Sequence, residues 1–274
     1  MASAYWDEAL AARYRAFQYR FVDRPLAGRV VIVAGGTGGL GAATTVLLAR
    51  EGAKLVVGFR SNRGRAEALR DAVAGQTGET IALVEGNLAL PEVRRAYLEA
   101  AANLGPLEGG AIFPGDPARV RWEDLDAAAL RSSWDANFVG PMLLAKDLAE
   151  AMEKSSHGGS LVLLATMQAM APFTASLNYA APKAALVHAA RILAKQFRGL
   201  RVNVVAPGAT IAGMAEVSVS SGKYDAYVSG GAIPRFGRPE DVARAVRFFL
   251  EPDGYVTGQA LLADGGLTLR RDQG

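Results

Sequence analysis

Tyr179 and Lys183, in the stretch NYAAPKAAL (178–186), stand one helical turn apart with Pro182 between them. A phenol and an ammonium group four residues apart share one helix face. They are either ordinary helix residues or a proton-transfer pair, and the rest of the chain decides. Proline cannot donate to the carbonyl four residues back, so it is tolerated only near a helix start or at a kink. Pro182 therefore places the pair near the beginning of a helix.

A second group of residues could hold a phosphate. AGGTGGLG (34–41) carries Gly35, Gly39 and Gly41 between a strand-like run and a helix-like one. Such a turn brings the backbone close to a diphosphate, which the free N–H groups of the helix N-terminus attract. A tight turn alone would also use glycine; the strand–turn–helix setting is what points to a dinucleotide.

The next strand-like run ends at Phe59, where dinucleotide folds commonly place an acid for the adenosine ribose. Here Arg60, Ser61 and Asn62 follow, with Arg63 and Arg65 close behind. An acid would repel a 2′-phosphate and a guanidinium pairs with it. NADP(H) is expected over NAD(H), the alternative being a solvated arginine at a helix start.

The elements that position these residues follow from periodicity. Apolar runs at 29–35, 53–59, 80–86, 109–113, 159–166, 200–207 and 258–264 are expected as strands. Helix-like segments separate them, including a long region at about 122–154, a helix at 176–198 and another at 239–251. This alternation predicts right-handed crossovers and a doubly wound, Rossmann-type α/β fold with a parallel sheet. No repeat or low-complexity linker interrupts it, so 28–274 is expected as one domain. Residues 1–27 precede it as a helical extension, with a helix at 5–21. Its aromatic face (Tyr5, Trp6, Tyr14, Phe17, Phe21) is expected to be buried, on the domain or across a subunit contact. The Gly- and Ser-rich segment 209–233 has the character of a substrate lid.

Composition excludes several functions. Lys+Arg number 30 against Asp+Glu 27, a net charge of +3, and no block of like charge suggests nucleic-acid binding. There is no cysteine, which removes disulfides, thiolate metal sites and a Cys nucleophile. His157 and His188 are the only histidines and lie far apart, leaving little for a metal site or a Ser–His triad; both are expected to be structural, and Trp134 to be core. No run approaches a membrane span and the first residues lack a signal-peptide core, so a cytoplasmic protein is expected.

With these motifs in register, the chain resembles the short-chain dehydrogenase/reductase family over about 29–266. The motifs are AGGTGGLG, Asn137 in WDANFVG, Thr166 thirteen residues before Tyr179, YAAPK, APGATIAG (206–213), RFGRPEDVA and VTGQALLADGG. The resemblance implies a tetrad. Tyr179 would be the general acid for carbonyl reduction and the base for alcohol oxidation. Lys183 would lower its pKa and hold the nicotinamide ribose, Thr166 would hold the substrate oxygen, and Asn137 would anchor a water chain. It also implies cofactor contacts at Gly35, Thr37, Gly39, Leu40, Gly41, Arg60, Ser61, Asn62, Asn87, Leu88, Pro114, Gly115, Tyr179, Lys183, Pro207, Gly208 and Thr210. Met167, Gln168, Met170, Phe173 and the 209–233 segment would line the substrate pocket, simple packing being the alternative for each. The implied partners are a small carbonyl or alcohol and further copies of the chain, as a homotetramer or dimer; no metal is implied.

Departures from the family pattern cluster around the cofactor. Ala34 stands for a threonine, Asn87 for an aspartate, and IFPG (112–115) for Asn-Asn-Ala-Gly; Ala212 replaces a threonine, and Gly38 a residue often basic in NADP-preferring members. Because the polar partners are lost together, neither is left buried and unpaired. The alternative these departures support is a catalytically silent nucleotide-binding or scaffold protein.

Overall fold

A computed structural model describes residues 5–116, 119–155, 158–174, 176–212 and 216–270. Seven strands form one sheet: β1 (Val30–Ala34), β2 (Lys54–Phe59), β3 (Ile81–Glu85), β4 (Leu107–Ile112), β5 (Gly159–Leu164), β6 (Leu200–Pro207) and β7 (Ala260–Ala263). Every pairing is parallel and the order is β3-β2-β1-β4-β5-β6-β7. Sheet strands are apolar on consecutive residues because both faces are covered: all five residues of β1 are buried. One face packs α2 (Gly39–Arg50), α3 (Arg63–Thr77) and α10 (Pro239–Leu250), through residues such as Leu48, Val73 and Val246. The other packs α4 (Pro91–Ala102), α6 (Gly140–Lys154) and α7 (Leu177–Gln196), through Tyr97, Leu148 and Leu186. The strand order reverses between β1 and β4, and in open α/β sheets that switch point opens a crevice at the carboxyl ends.

The expected strands and their order of appearance are all present. The helical region at 122–154 is broken. A 3₁₀ turn (Trp122–Asp124) precedes α5 (Ala127–Trp134), and a π-helical turn (Asp135–Val139) joins α5 to α6. Trp134 is not core: it is more than one-third exposed, edge-on to Phe138.

The expected helix at 5–21 is also shorter. It is α1 (Glu8–Arg15), started by Asp7, whose side chain accepts from Leu10 N–H. It stops because Phe17 takes a left-handed conformation (φ 57°), so that Gln18 N–H donates to the Arg13 carbonyl and Phe17 N–H to that of Tyr14. That is a Schellman ending without the usual glycine. No residue of α1 is buried, and Tyr5, Phe17 and Phe21 are each more than four-fifths exposed. The expected burial of this aromatic face on the domain's own surface does not occur. Two short helices, α8 (Glu216–Ser220) and α9 (Asp225–Ser229), occupy the 209–233 segment, part of which lies outside the described residues. His157 also lies outside them, and His188 is exposed on α7. Among the described residues no helix is long and apolar enough to cross a membrane, and no cluster of metal-ligating side chains occurs.

Candidate active site

Two adjoining cavities open at the carboxyl end of the sheet. The larger, about 690 Å³, runs from Arg60 along the glycine loop to Gly115 and the start of α6. The smaller, about 110 Å³, is walled by Thr166, Tyr179 and Lys183 and by the residues after β6. Leu40 and Phe113 line both.

The glycine loop is built for close approach. Gly35 has φ 72°, and a Cβ there would lie 3.2 Å from both Phe113 Cβ and Pro114 Cδ. A Cβ on Gly41 would lie 2.2 Å from the Gly35 carbonyl oxygen, which no side chain could tolerate. Gly35, Thr37, Gly39, Leu40 and Gly41 all line the larger cavity, with Asn87, Leu88, Pro114 and Gly115. The rebuilt floor leaves that cavity open: Ile112 turns into the core, and Phe113 N–H donates to the Ala34 carbonyl, extending the strand pair.

At the far end Arg60 is exposed, lines the cavity and has no bonded partner among the described residues. Its neighbours are committed elsewhere. Arg63 pairs with Glu85 and faces the Phe59 ring, and Arg65 Nε donates to the Thr37 carbonyl at 2.6 Å, bracing the glycine loop. Ser61 and Asn62 do not line the cavity; Asn62 caps α3, its side chain accepting from Arg65 N–H.

The four expected catalytic side chains converge. Tyr179 sits in the first turn of α7, as Pro182 required, and is buried. Thr166, just past β5, hydrogen-bonds its hydroxyl. Lys183 is buried, its Nζ donating to the carbonyls of Leu164 (2.8 Å) and Pro114 (3.2 Å). Asn137 is wholly buried in the π-helical turn, a backbone irregularity frequent at functional sites. Its Oδ1 accepts from Asp116 N–H at 3.0 Å and its Nδ2 donates to the Asp116 and Ser133 carbonyls. Ser133 in turn donates to the carbonyl of Asn178, next to Tyr179.

Pro207, Gly208 and Thr210 line the smaller cavity beside Tyr179. Met167 and Gln168 line it too; Met170 and Phe173 do not, Phe173 packing instead beside Met167 and Ile233.

Burial dominates the electrostatics of both members of the Tyr179–Lys183 pair. Burial raises the Tyr179 pKa; the charge of Arg119 opposes that, followed by the Thr166 hydrogen bond. Burial also acts on Lys183, pushing its pKa down to about 7, and its Nζ donates to two backbone carbonyls. Arg119 lies over the Tyr179 ring, its guanidinium carbon 5.6 Å from the centroid.

Sequence reasoning missed Arg119, Ser133, Tyr97, the brace that Arg65 gives the glycine loop and the double role of Phe113. Tyr97 lies beneath Gly58, whose missing side chain makes room for the phenol, and its ring reaches the larger cavity. The only signal for it was that glycine in a buried strand, where a close approach is expected.

Gly115 separates Asn137 from Lys183. A Cβ there would lie 2.7 Å from Asn137 Oδ1 and 2.9 Å from Lys183 Nζ. Gly115→Ala is therefore expected to displace both groups and lower turnover by roughly tenfold to a hundredfold. Steady-state kinetics with a thermal melt would check it: unchanged kcat would mean that the gap has slack.

Comparison with known proteins agrees with this geometry. The family model described as "Enoyl-(Acyl carrier protein) reductase" matches residues 34–268. Carbonyl reductase family member 4 of Danio rerio is 33% identical over 251 residues, 88% of this chain and 98% of the relative. Glucose 1-dehydrogenase of Gluconobacter oxydans is 28% identical over 262 residues, 92% of this chain and 96% of the relative. The crystal structure of a short-chain type dehydrogenase/reductase from Mycobacterium marinum superposes with a TM-score of 0.81 at 25% identity, covering 89% of this chain and 97% of that one.

Proposed function

Because this chain belongs to the short-chain dehydrogenase/reductase family, and its relatives include a carbonyl reductase and a glucose dehydrogenase, we propose that it reduces a small carbonyl compound with NADPH. Tyr179 is the proton donor. The observation that carries this reading is the buried Tyr179–Thr166 pair on the wall of a small cavity that adjoins a cradle fit for a dinucleotide.

The cradle fits the cofactor on three counts. Gly35 and Gly41 leave no room for side chains, the volume of about 690 Å³ is that of a ligand site, and an unpaired guanidinium stands at the far end. Gly35, Thr37 and Gly41 would hold the diphosphate, Arg60 the 2′-phosphate, and Lys183 and Gly115 would stand at the ribose next to the nicotinamide. When bound there, NADPH would supply the hydride that the carbonyl carbon receives.

The chain's residues do the rest. Thr166 orients the carbonyl oxygen, and the O–H bond of Tyr179 breaks as its proton moves to that oxygen, giving the alcohol and a phenolate. Arg119 and the Thr166 hydrogen bond favour the phenolate, which regains its proton from solvent. Asn137 holds the 115–116 backbone in place on one side of Lys183.

Fluorescence titration with NADPH and NADH tests the cofactor half. Arg60→Ala is expected to weaken NADPH binding by about tenfold or more while changing NADH binding little, since a charge-assisted pair with phosphate is lost only in the first case. Equal losses for both nucleotides would refute the assignment. If neither binds at millimolar concentration, the chain is a scaffold member of its family.

A further inference from the structure

The smaller cavity carries a charge that could serve the substrate as well as the phenolate. Of the described residues lining it, none is acidic, and two are cations, Lys183 and Arg119. Lys183 is buried and spends its N–H groups on two backbone carbonyls. Arg119 is exposed at the mouth, over the Tyr179 ring at 5.6 Å. Among the described residues its single hydrogen bond is a long one, 3.4 Å, to the neutral Gln168 side chain, and no described carboxylate pairs with it. The remaining walls are apolar or neutral, among them Leu40, Phe113, Met167 and Ala209.

An unpaired guanidinium beside the proton donor is suited to a carboxylate, which it takes with two parallel N–H donors. Gln168 is buried and holds the arginine only by that long bond, so the guanidinium can turn to an incoming anion. The cavity of about 110 Å³ limits the carbon skeleton to a short one. We infer that Arg119 is the specificity-determining residue of this site and that the substrate is a short-chain oxo acid, its carboxylate a few bonds from the reacting carbonyl. This rests on the carbonyl-reductase reading above and names its substrate class.

Acid and amide pairs test it, because they change the charge and little else. Turnover with NADPH is compared for 2-oxobutanoate against 2-oxobutanamide and for 3-oxobutanoate against 3-oxobutanamide. In the wild type kcat/KM for one acid at least is expected to exceed that for its amide by about tenfold or more, and Arg119→Gln to remove that preference, mainly through KM of the acid. Arg119→Lys should retain part of it. No preference in the wild type, or a preference that survives Arg119→Gln, overturns the inference; parallel losses for acid and amide would make Arg119 a partner of Tyr179 alone. Calorimetric titration of the same pairs into NADPH-loaded Tyr179→Phe protein reads binding without turnover. Acid-selective binding that Arg119→Gln abolishes, with no turnover by the wild type, would keep the anion site and overturn the reductase reading. Loss of acid selectivity in binding overturns the anion site whatever the activity.

Discussion

Tyr179→Phe is expected to lower kcat by about 10²–10⁴-fold, the usual worth of a positioned proton donor. NADPH binding should weaken less than about tenfold. The reason lies in the environment of the phenol. Burial holds Tyr179 in its neutral form, so at neutral pH it carries the proton that the carbonyl oxygen needs. The ring fills the same space without its hydroxyl, and only the hydrogen bond with Thr166 is lost, a matter of about 1 kcal/mol in stability. Reduction should therefore persist through neutral pH and fall as the phenol titrates in the alkaline range, while alcohol oxidation, which needs the phenolate, should rise over the same range. Steady-state rates in both directions across pH, alongside nucleotide titration, would check this. A variant that keeps more than a tenth of wild-type turnover would mean that another group delivers the proton.

The extent to which this site was legible in the sequence follows from what kind of information each residue carries. Central strands such as β1 could be read because strands buried on both faces must be continuously apolar, and glycine loops because a helix start cannot approach a phosphate past a side chain. Tyr179 could be placed in a first helical turn because Pro182 forbids the alternatives. These are local rules. Arg119 obeys none of them: it lies in a loop, sixty residues before the tyrosine it faces, and only the chain's return through β5 and α7 brings the two together. Asn137 was found by its motif, yet its setting in a π-helical turn was not, since one extra residue per turn leaves no mark in a helical periodicity. The end of α1 was missed because Phe17, not a glycine, takes the left-handed conformation. Depth of burial is likewise invisible to spacing. One turn of spacing predicts that Lys183 acts on Tyr179, whereas depth decides that the lysine is itself perturbed.

That perturbation gives the last prediction, for Lys183→Met. Turnover is expected to fall by about 10²–10³-fold, since the proposed ribose ligand would be lost with the ammonium beneath the site. Stability should move the other way. In the folded protein the Lys183 pKa is pushed from 10.5 down to about 7, because burial penalises the charged form. Between those two values the unfolded chain binds a proton that the folded chain does not, so wild-type stability rises with pH over that window. Relative to Lys183→Met, which lacks the titrating group, the gain is at most about 1.4 kcal/mol per pH unit. Below pH about 7 both states bind the proton and the penalty is complete; above 10.5 it has vanished. The methionine variant should thus be the more stable protein at pH 7 and lower, and its advantage should shrink steadily toward pH 10. Denaturant unfolding without nucleotide at several pH values would show it. Parallel stability curves for the two proteins would mean that the carbonyls of Leu164 and Pro114 fully compensate the buried ammonium. Curves that converge toward pH 10 would mean that the fold retains a cation at a cost in stability, which is reasonable only where that cation serves the chemistry above it.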